Sequence, residues 1–201
     1  MSWVLGAESV GTTLAAGSVV AIGVFDGVHR GHQALLQEAR TQAWAKGLPL
    51  VVLTFDPHPS EVLHPQQPTP LLCPLMHRIE RLLQHGADLV VVQPFTMAFS
   101  RLRPEAFVQQ ILLEQLHAQL VVVGEDFRFG HQQRGDVNFL RRARVFEVIA
   151  VPAVHDETGE RIASTRIRAL VQAGDLHAAA QLLGEPFYWA GIVVRGESRG
   201  Q

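Results

Sequence analysis

Apolar residues in this chain form short continuous runs that alternate with segments of helical spacing. Five runs have the length of a buried strand, namely 18–24, 50–55, 89–92, 120–123 and 145–151. The segments between them predict helices at 33–46, 75–85, 104–116 and, more briefly, 137–142. This alternation is typical of an α/β fold, in which helices cover both faces of a mostly parallel sheet and ligands bind at the carboxyl ends of the strands.

The other segments predict a loop and a C-terminal extension. Six prolines lie between residues 56 and 74, so we expect a loop there without a regular helix or central strand. A loop of this length in a compact domain is more often functional than idle. Further along, the pattern predicts two short helices at 164–173 and 175–183 and then a strand at 187–194.

We therefore divide the chain into a main domain, 1–186, and a C-terminal segment, 187–201. We interpret the segment as the first strand of a second domain that is cut off, because nothing after it could pair with it. A free apolar strand is prone to association. We expect it to fold back onto the main domain, to pair with a second copy of the chain or to remain mobile.

Composition restricts the class of protein. Of 201 residues, 47% are hydrophobic and 18% charged, with a formal net charge of −2, so no large basic surface points to nucleic acid. We found no signal peptide and no apolar run long enough to span a bilayer, and we expect a cytoplasmic protein without a membrane partner. The single cysteine, Cys73, excludes an intramolecular disulfide and is expected to be a partly buried, inert thiol. The histidines show no zinc spacing, and the sequence does not identify which residues would bind a metal ion.

The most informative segment is 23–32, Gly-Val-Phe-Asp-Gly-Val-His-Arg-Gly-His, at the junction of the first strand and first helix. We expect His29 in the turn and His32 in the first helical turn, where free N–H groups and the helix dipole attract an anion. Gly27 and Gly31 would let the main chain approach it closely. The two imidazoles could donate hydrogen bonds to phosphate, or they could merely cap the helix.

Two further segments stand where ligand-binding loops are expected. Residues 54–59, Thr-Phe-Asp-Pro-His-Pro, form either a rigid turn or a functional loop. Residues 124–130 alternate charged and aromatic side chains. Phe127 and Phe129 are either core residues or an exposed platform for a flat heteroaromatic ring.

A last segment, 161–168, reads Arg-Ile-Ala-Ser-Thr-Arg-Ile-Arg. We expect Ser164 or Thr165 to be the N-cap of a second helix, with up to three guanidinium groups nearby. Taken alone, this pattern is typical of a capped helix with a solvated basic face. Together with the histidine turn it would supply a second phosphate-binding helix end, as a triphosphate requires.

These four segments, in this order, resemble the N-terminal half of bacterial bifunctional riboflavin kinase/FMN adenylyltransferases, the FAD synthetase family, over about residues 18–200. The His-x-Gly-His turn is similar to the signature of nucleotidyltransferases, so the resemblance implies a Rossmann-like nucleotidyltransferase fold. It also implies an enzyme that takes ATP and FMN as substrates, with Mg²⁺ accompanying ATP, and makes FAD and pyrophosphate.

The resemblance also implies roles for particular residues. The implied catalytic residues, which act as cations or hydrogen-bond donors, are His29, His32 and Arg168. The implied residues on the nucleotide side are Gly23, Phe25, Asp26, Gly27, Gly31, Arg161, Ser164 and Thr165. The implied residues on the flavin side are Pro57, His58, Pro59, Asp126, Phe127 and Phe129.

The chain departs from the family pattern at three places. Ala163 stands where the family has a serine, and Thr96 where an acidic residue is common. The Gly-Phe-Pro-Thr-type motif of the kinase does not follow 191–196, so we expect no riboflavin kinase activity. Two alternatives remain open: adenylyl transfer to another phosphate acceptor, such as phosphopantetheine or nicotinamide mononucleotide, and a non-catalytic flavin- or nucleotide-binding module. The aromatic segment 124–130 favours flavin.

Overall fold

The protein is built on a parallel sheet, as the alternation of apolar runs predicts. The computed structural model describes residues 2–191. Its strands are β1 Ser2–Leu5, β2 Ser18–Ile22, β3 Leu50–Asp56, β4 Leu89–Pro94, β5 Ala118–Gly124, β6 Arg128–Phe129, β7 Gly135–Asp136 and β8 Glu147–Val151. Six of them form one parallel sheet in the order β1-β4-β3-β2-β5-β8, while β6 and β7 pair antiparallel.

The helices lie between the strands. They are α1 Arg30–Lys46, α2 Pro59–Leu63, α3 Leu75–Gln84, α4 Met97–Ser100, α5 Pro104–Ala106, α6 Val137–Ala143, α7 Ser164–Gln172 and α8 Leu176–Leu183. Helix α5 continues as a π-helix over Phe107–Gln115. Short 3₁₀ turns occupy Ala7–Ser9, Gly11–Leu14, Asp26–Val28 and His131–Gln133. Within residues 2–191, no helix combines the length and the apolar character needed to cross a bilayer.

Both faces of the sheet are covered, which confirms the predicted fold class. Val19 and Ala21 of β2 pack with α1 and α3 on one face. Val20 and Ile22 belong to the core on the other face, with residues of the π-helix and α6. A strand buried on both faces has no polar side to alternate with, which explains the continuous apolar runs.

The strand order places a ligand crevice beside β2. From β2 the chain proceeds to β3 and β4 on one side, and then returns to the other side for β5 and β8. The order therefore reverses between β2 and β5. Open α/β sheets bind ligands at the carboxyl ends of strands at such a switch point.

Two of the sequence-based expectations about elements need correction, and one strand was missed. The proline-rich loop contains a helix, α2, because Pro59 occupies its first position, where the missing N–H costs little. Strand β1 gave no signal because it is a short edge strand with mostly exposed side chains. The strand predicted at 187–194 is absent over 187–191, and its last residues, 192–194, lie outside the described range.

The segment that follows α8 packs against α3. The Glu185 carboxylate accepts hydrogen bonds from Arg81 at 2.6 Å and from His77 Nε2 at 3.3 Å. The Tyr188 ring meets the His77 ring edge-on, with centroids 4.4 Å apart. Within the predicted segment 187–201, Tyr188 thus folds back onto the main domain, and pairing with a second copy stays a prediction.

The indole side chains lie at the surface. Trp3, Trp44 and Trp189, the three tryptophans of the sequence, are 43%, 81% and 84% exposed.

Candidate active site

A cavity of about 320 Å³ lies at the carboxyl ends of β2, β5 and β8. Residues 22–25, 124–127 and 151–154, which end or follow these strands, form one part of its wall. The rest comes from the first turns of α1 and from residues 161–164, which lead into α7. The predicted site residues that line it are Gly23, Phe25, His29, Gly31, His32, Asp126, Phe127, Arg161 and Ser164. Most residues predicted on the nucleotide side therefore lie around this one cavity. Asp126 and Phe127, which were predicted on the flavin side, lie there too.

A strained turn delivers the chain from β2 to α1. Phe25, Gly27 and Val28 have left-handed φ angles of 55°, 78° and 39°, and all three are buried. Such a conformation costs little for glycine but is unfavourable for phenylalanine and valine. Strained backbone of this kind concentrates at functional sites, where the surrounding structure holds it. Here it places His29 at the N-cap of α1.

The two histidines form one packed unit. His29 Nδ1 accepts a hydrogen bond from the His32 backbone N–H at 3.4 Å, and the rings stack with centroids 3.6 Å apart. Phe25 packs edge-on against His32 with a centroid distance of 5.2 Å. A Cβ at Gly31 would lie 3.2 Å from the His29 ring, so a larger residue here would displace that ring by a few tenths of an ångström. His29 is therefore a helix cap and a cavity-lining residue at once.

Both rings are neutral at neutral pH in the substrate-free protein. Burial, and then the neighbouring Arg161, lower the pKa of His29 to about 4. Burial, and then His29, lower the pKa of His32 well below its ordinary value. Because His29 Nδ1 accepts, the neutral ring carries its proton on Nε2 and remains a donor. The low pKa values therefore favour neutral rings that act as hydrogen-bond donors in the free protein, and the catalytic roles of His29 and His32 stay predictions.

We predict that acid weakens the fold through His29. Below pH 6.5 the unfolded chain binds a proton on this ring, but the folded protein does so only near pH 4, so the free energy of unfolding falls as the pH drops through that window. The loss is on the order of 3 kcal/mol for this residue. Urea unfolding followed by circular dichroism should show a smaller acid effect in His29→Asn, whose side-chain oxygen can still cap α1. If the free energy of unfolding of His29→Asn depended on pH in the same way as that of the parent chain, the low pKa of His29 would be contradicted.

The guanidinium groups of 161–168 do not cluster as expected. Arg161 lines the cavity and pairs with Asp126 at 2.6 Å. Arg166 pairs instead with Asp156 at 2.6 Å. A hydrogen bond from the Thr158 side chain, and then this contact with Arg166, lower the pKa of the Asp156 carboxyl. Only one of the three arginines therefore faces the cavity.

Arg168 lies behind the cavity in a buried ion pair. Its Nη2 donates to Asp26 at 2.7 Å, and its Nε donates to the Pro70 carbonyl at 2.7 Å. The Asp26 carboxylate, which is 3% exposed, also accepts from the Leu72 backbone N–H at 2.9 and 3.1 Å. Asp26 therefore holds Arg168 and the end of the proline-rich loop against the histidine turn. The ATP contacts implied for Asp26 and Arg168 stay predictions.

The start of α7 differs from the expected cap. Ala163 is the N-cap, and neither Ser164 nor Thr165 caps the helix. The Ser164 hydroxyl instead donates to the Asp26 carbonyl at 3.1 Å, because the two helix starts lie side by side at the cavity. Thr165 is exposed and does not line the cavity.

Gly27 and Cys73 join the turn to the proline-rich loop. The Gly27 N–H donates to Cys73 Sγ at 3.3 Å, so Gly27 lies under the cavity rather than in its wall. Burial raises the pKa of the Cys73 thiol to about 11. The predicted burial of this thiol is confirmed, and its inertness stays a prediction that the raised pKa supports.

The aromatic platform is smaller than expected. Phe129 is 7% exposed and belongs to the core, where it contacts Phe107 and Phe139. Phe127 stacks on Phe129 with centroids 5.5 Å apart and is half-buried at the cavity wall. Only Phe127 is therefore placed to meet a ligand there.

The loop after β3 lies outside this cavity. His58 is the N-cap of α2, with its Nδ1 accepting from the Ser60 N–H at 3.1 Å, and Pro59 opens the helix. Pro57 precedes them at the end of β3. Flavin contacts of these three residues stay predictions.

The sequence reasoning missed two parts of the site. Residues 152–154 line the cavity, and Glu125 Oε1 accepts from the Ala153 N–H at 2.9 Å, which fixes that stretch. The strand order contained the signal, because β8 ends beside β5 at the same edge of the sheet. The other missed residue is Arg78 of α3, which is 1% exposed and bonded to the loops that follow β2 and β3.

No cluster of three His, Cys, Asp or Glu side chains suited to a metal ion occurs within residues 2–191. The carboxylates at the cavity, Glu125 and Asp126, are already bonded to Ala153 N and Arg161.

Comparison with known proteins places this site in a family context. The family model for FAD synthetase matches residues 12–166. The chain is 41% identical over 186 residues to the bifunctional riboflavin kinase/FMN adenylyltransferase of Listeria monocytogenes, covering 91% of this chain and 59% of that protein. It is 33% identical over 204 residues to the protein of the same name from Escherichia coli K12, covering 100% of this chain and 65% of that protein. The chain therefore spans less than two thirds of the length of these relatives.

Solved structures agree on the fold. A crystal structure of a protein from Streptococcus pneumoniae, described as a macrolide-efflux protein, matches with a TM-score of 0.87 and 33% identity, covering 98% of this chain and 65% of that one. The pantothenate synthetase of Thermus thermophilus matches with a TM-score of 0.53 and 20% identity over 92% of this chain and 81% of that one, which is a likeness of fold alone.

Proposed function

This chain belongs to the FAD synthetase family, and we propose that it transfers the adenylyl group of ATP to FMN, giving FAD and pyrophosphate. One observation carries the proposal. Every residue that lines the cavity lies between positions 22 and 164, within the 12–166 stretch that matches the family. We assign the activity to residues 1–186, since the cavity wall contains none of the later described residues.

The reaction needs positioning more than chemical activation. An oxygen of the FMN phosphate attacks the α-phosphorus of ATP, a new P–O bond forms, and the bond to the bridging oxygen breaks as pyrophosphate leaves. A phosphate monoester, with a second pKa of about 6, is already mostly dianionic at neutral pH. No general base is required. The protein must bring two anions together and stabilise the charge on the leaving group.

The cavity offers suitable donors for that charge. His29 and His32 are neutral N–H donors at the start of α1, and both helix starts present free backbone N–H groups. His32 Nδ1 is fully buried and has no hydrogen-bond partner within the described chain. A buried polar atom without a partner is costly, and such atoms are rare in regions with a purely structural role. Arg161 supplies positive charge at the cavity wall. Its guanidinium would then contact both Asp126 and the substrate.

Magnesium belongs to the substrate in this proposal. It keeps several waters and binds mainly through phosphate oxygens, so ATP can bring it as the Mg²⁺ complex. Glu125 and Asp126 at the cavity wall are bonded to other protein groups and do not form a cage for it. The protein groups have the same role in adenylyl transfer whether magnesium arrives with ATP or binds separately.

The test is a product assay with purified chain, MgATP and FMN, resolved by chromatography. We expect FAD and pyrophosphate in equal amounts. Three arms should give no product: riboflavin, which lacks the phosphate nucleophile; α,β-methylene-ATP, in which the bond to be broken is replaced; and nicotinamide mononucleotide or phosphopantetheine as acceptor. Binding of FMN without FAD formation would favour a binding module, and turnover of another acceptor would overturn the assignment of substrate.

A further inference from the structure

Arg78 is a buried cation that joins the loop after β2, which lines the cavity, to the end of β3. Its Nη1 donates to the Val24 carbonyl at 2.9 Å and to the Phe55 carbonyl at 3.1 Å, and its Nη2 donates to Asp56 Oδ1 at 3.3 Å. Val24 lies in the loop that leads to His29. Phe55 and Asp56 end β3 and lead to His58. One side chain therefore joins the two loops that leave neighbouring strands.

The arrangement is costly as a purely structural device. Arg78 is 1% exposed, and its Nε has no hydrogen-bond partner within residues 2–191. Its carboxylate partner, Asp56, has a side chain that is 37% exposed, so the pair is only partly compensated. An apolar side chain of similar volume usually serves stability as well as or better than a buried ion pair. Stability alone therefore gives a weak reason for an arginine here.

Geometry gives a stronger reason. Val24 O also accepts from the Thr54 hydroxyl at 2.9 Å, so it is bonded from β3 as well as from α3. The strand-to-helix turn that follows it is strained at Phe25 and Val28 and needs support from its surroundings. The planar guanidinium reaches two carbonyls and one carboxylate in fixed directions, which an ammonium group cannot reproduce.

We propose that Arg78 is a positioning residue, which fixes the loop carrying His29 against the loop carrying His58 so that two phosphate-bearing substrates meet in line. The proposal rests on the proposed function and names a residue on which its geometry depends. Arg78 does not line the cavity, so it acts through the main chain of both loops.

The test compares Arg78→Met, Arg78→Lys and a matched control, Arg81→Met, in the full chain. Arg81 lies on the same helix with a side chain that is 12% exposed, but it pairs with Glu185 away from the cavity. Arg78→Met should lower kcat by between about 10- and 100-fold, with KM for ATP and FMN changed by less than about threefold. Arg78→Lys should recover part of the loss, and Arg81→Met should keep the parent kcat.

Hydrogen exchange followed by mass spectrometry supplies a readout that does not depend on activity. In Arg78→Met, the amides of residues 23–28 and 56–61 should exchange at least about 10-fold faster, while those of α8 keep the parent rate. Three results for Arg78→Met would each overturn the proposal: unchanged amide exchange in both loops, faster exchange with the parent kcat, or a higher KM with the parent kcat. If Arg78→Met speeds exchange throughout the protein, the test depends on Arg78→Lys instead. A parent kcat together with parent loop exchange in Arg78→Lys would then overturn the proposal. If the parent chain makes no FAD, the proposed function fails, whereas the exchange data still decide whether Arg78 holds the two loops.

Discussion

Replacing His32 by alanine should reduce the rate of FAD formation by on the order of 100- to 1,000-fold, the usual effect of losing one donor that stabilises charge in the transition state. The ring stacks on His29 and lines the cavity, and its buried Nδ1 has no hydrogen-bond partner within residues 2–191. FMN binding should change much less, because the charge in question develops on phosphorus during the reaction. His29→Ala should behave similarly. Steady-state kinetics and equilibrium FMN binding check both statements.

The control is His177→Ala, which removes an exposed histidine on α8 and should keep the parent kcat. His32→Gln returns an N–H donor and should recover part of the rate. Circular dichroism must show that each variant is folded before rates are compared. Near-normal turnover in both His29→Ala and His32→Ala would show that the pair serves only to cap and pack α1, and the mechanism proposed here would be wrong.

Breaking the Asp26–Arg168 pair should produce the largest loss of stability. The two side chains are 3% and 14% exposed, so each partner would leave an uncompensated charge inside the protein. We expect Asp26→Asn to lower the free energy of unfolding by about 3–5 kcal/mol. The double variant Asp26→Asn/Arg168→Met should lose less than the sum of the two single variants, by about 1–3 kcal/mol. Urea unfolding at neutral pH gives all the values required.

The matched control for this cycle is the surface pair between Lys46 and Glu147, which are joined at 2.7 Å with side chains 27% and 67% exposed. Glu147→Gln should cost less than about 1 kcal/mol, because solvent screens the charges and the long side chains lose entropy in pairing. Additive effects of Asp26→Asn and Arg168→Met would mean that the two groups do not interact in solution as they do in this structure.

The parts of the site that could be predicted from sequence are the local ones. The His29 and His32 positions follow from a strand, a turn and a helix that are adjacent in the chain, and the structure places both in the cavity. The location of the site at the carboxyl edge of the sheet was likewise predictable. Strand order decides only which loops meet at that edge. Residues 161–164 line the cavity because they lead into α7, which begins at the same edge of the sheet.

The parts that could not be predicted depend on contacts across long separations. Asp26 and Arg168 are 142 positions apart, and no local pattern shows that the arginine faces a carboxylate rather than a phosphate. Phe129 resembles an exposed aromatic in sequence because residues 124–130 contain three charged side chains, yet β6 turns it into the core. Arg78 has the appearance of an ordinary charged residue on an amphipathic helix, and only the packing of α3 against the strand ends buries it.

The placement of the three indole rings decides which optical signals this protein can give. Trp44 and Trp189 are in contact with solvent over most of their surface, and Trp3 over almost half. Their fluorescence in the native state is therefore already close to that of hydrated indole, and loss of the fold should shift the emission maximum very little. A blue shift of the emission has the opposite meaning. It would report that another surface has covered one of these rings while the fold stays intact.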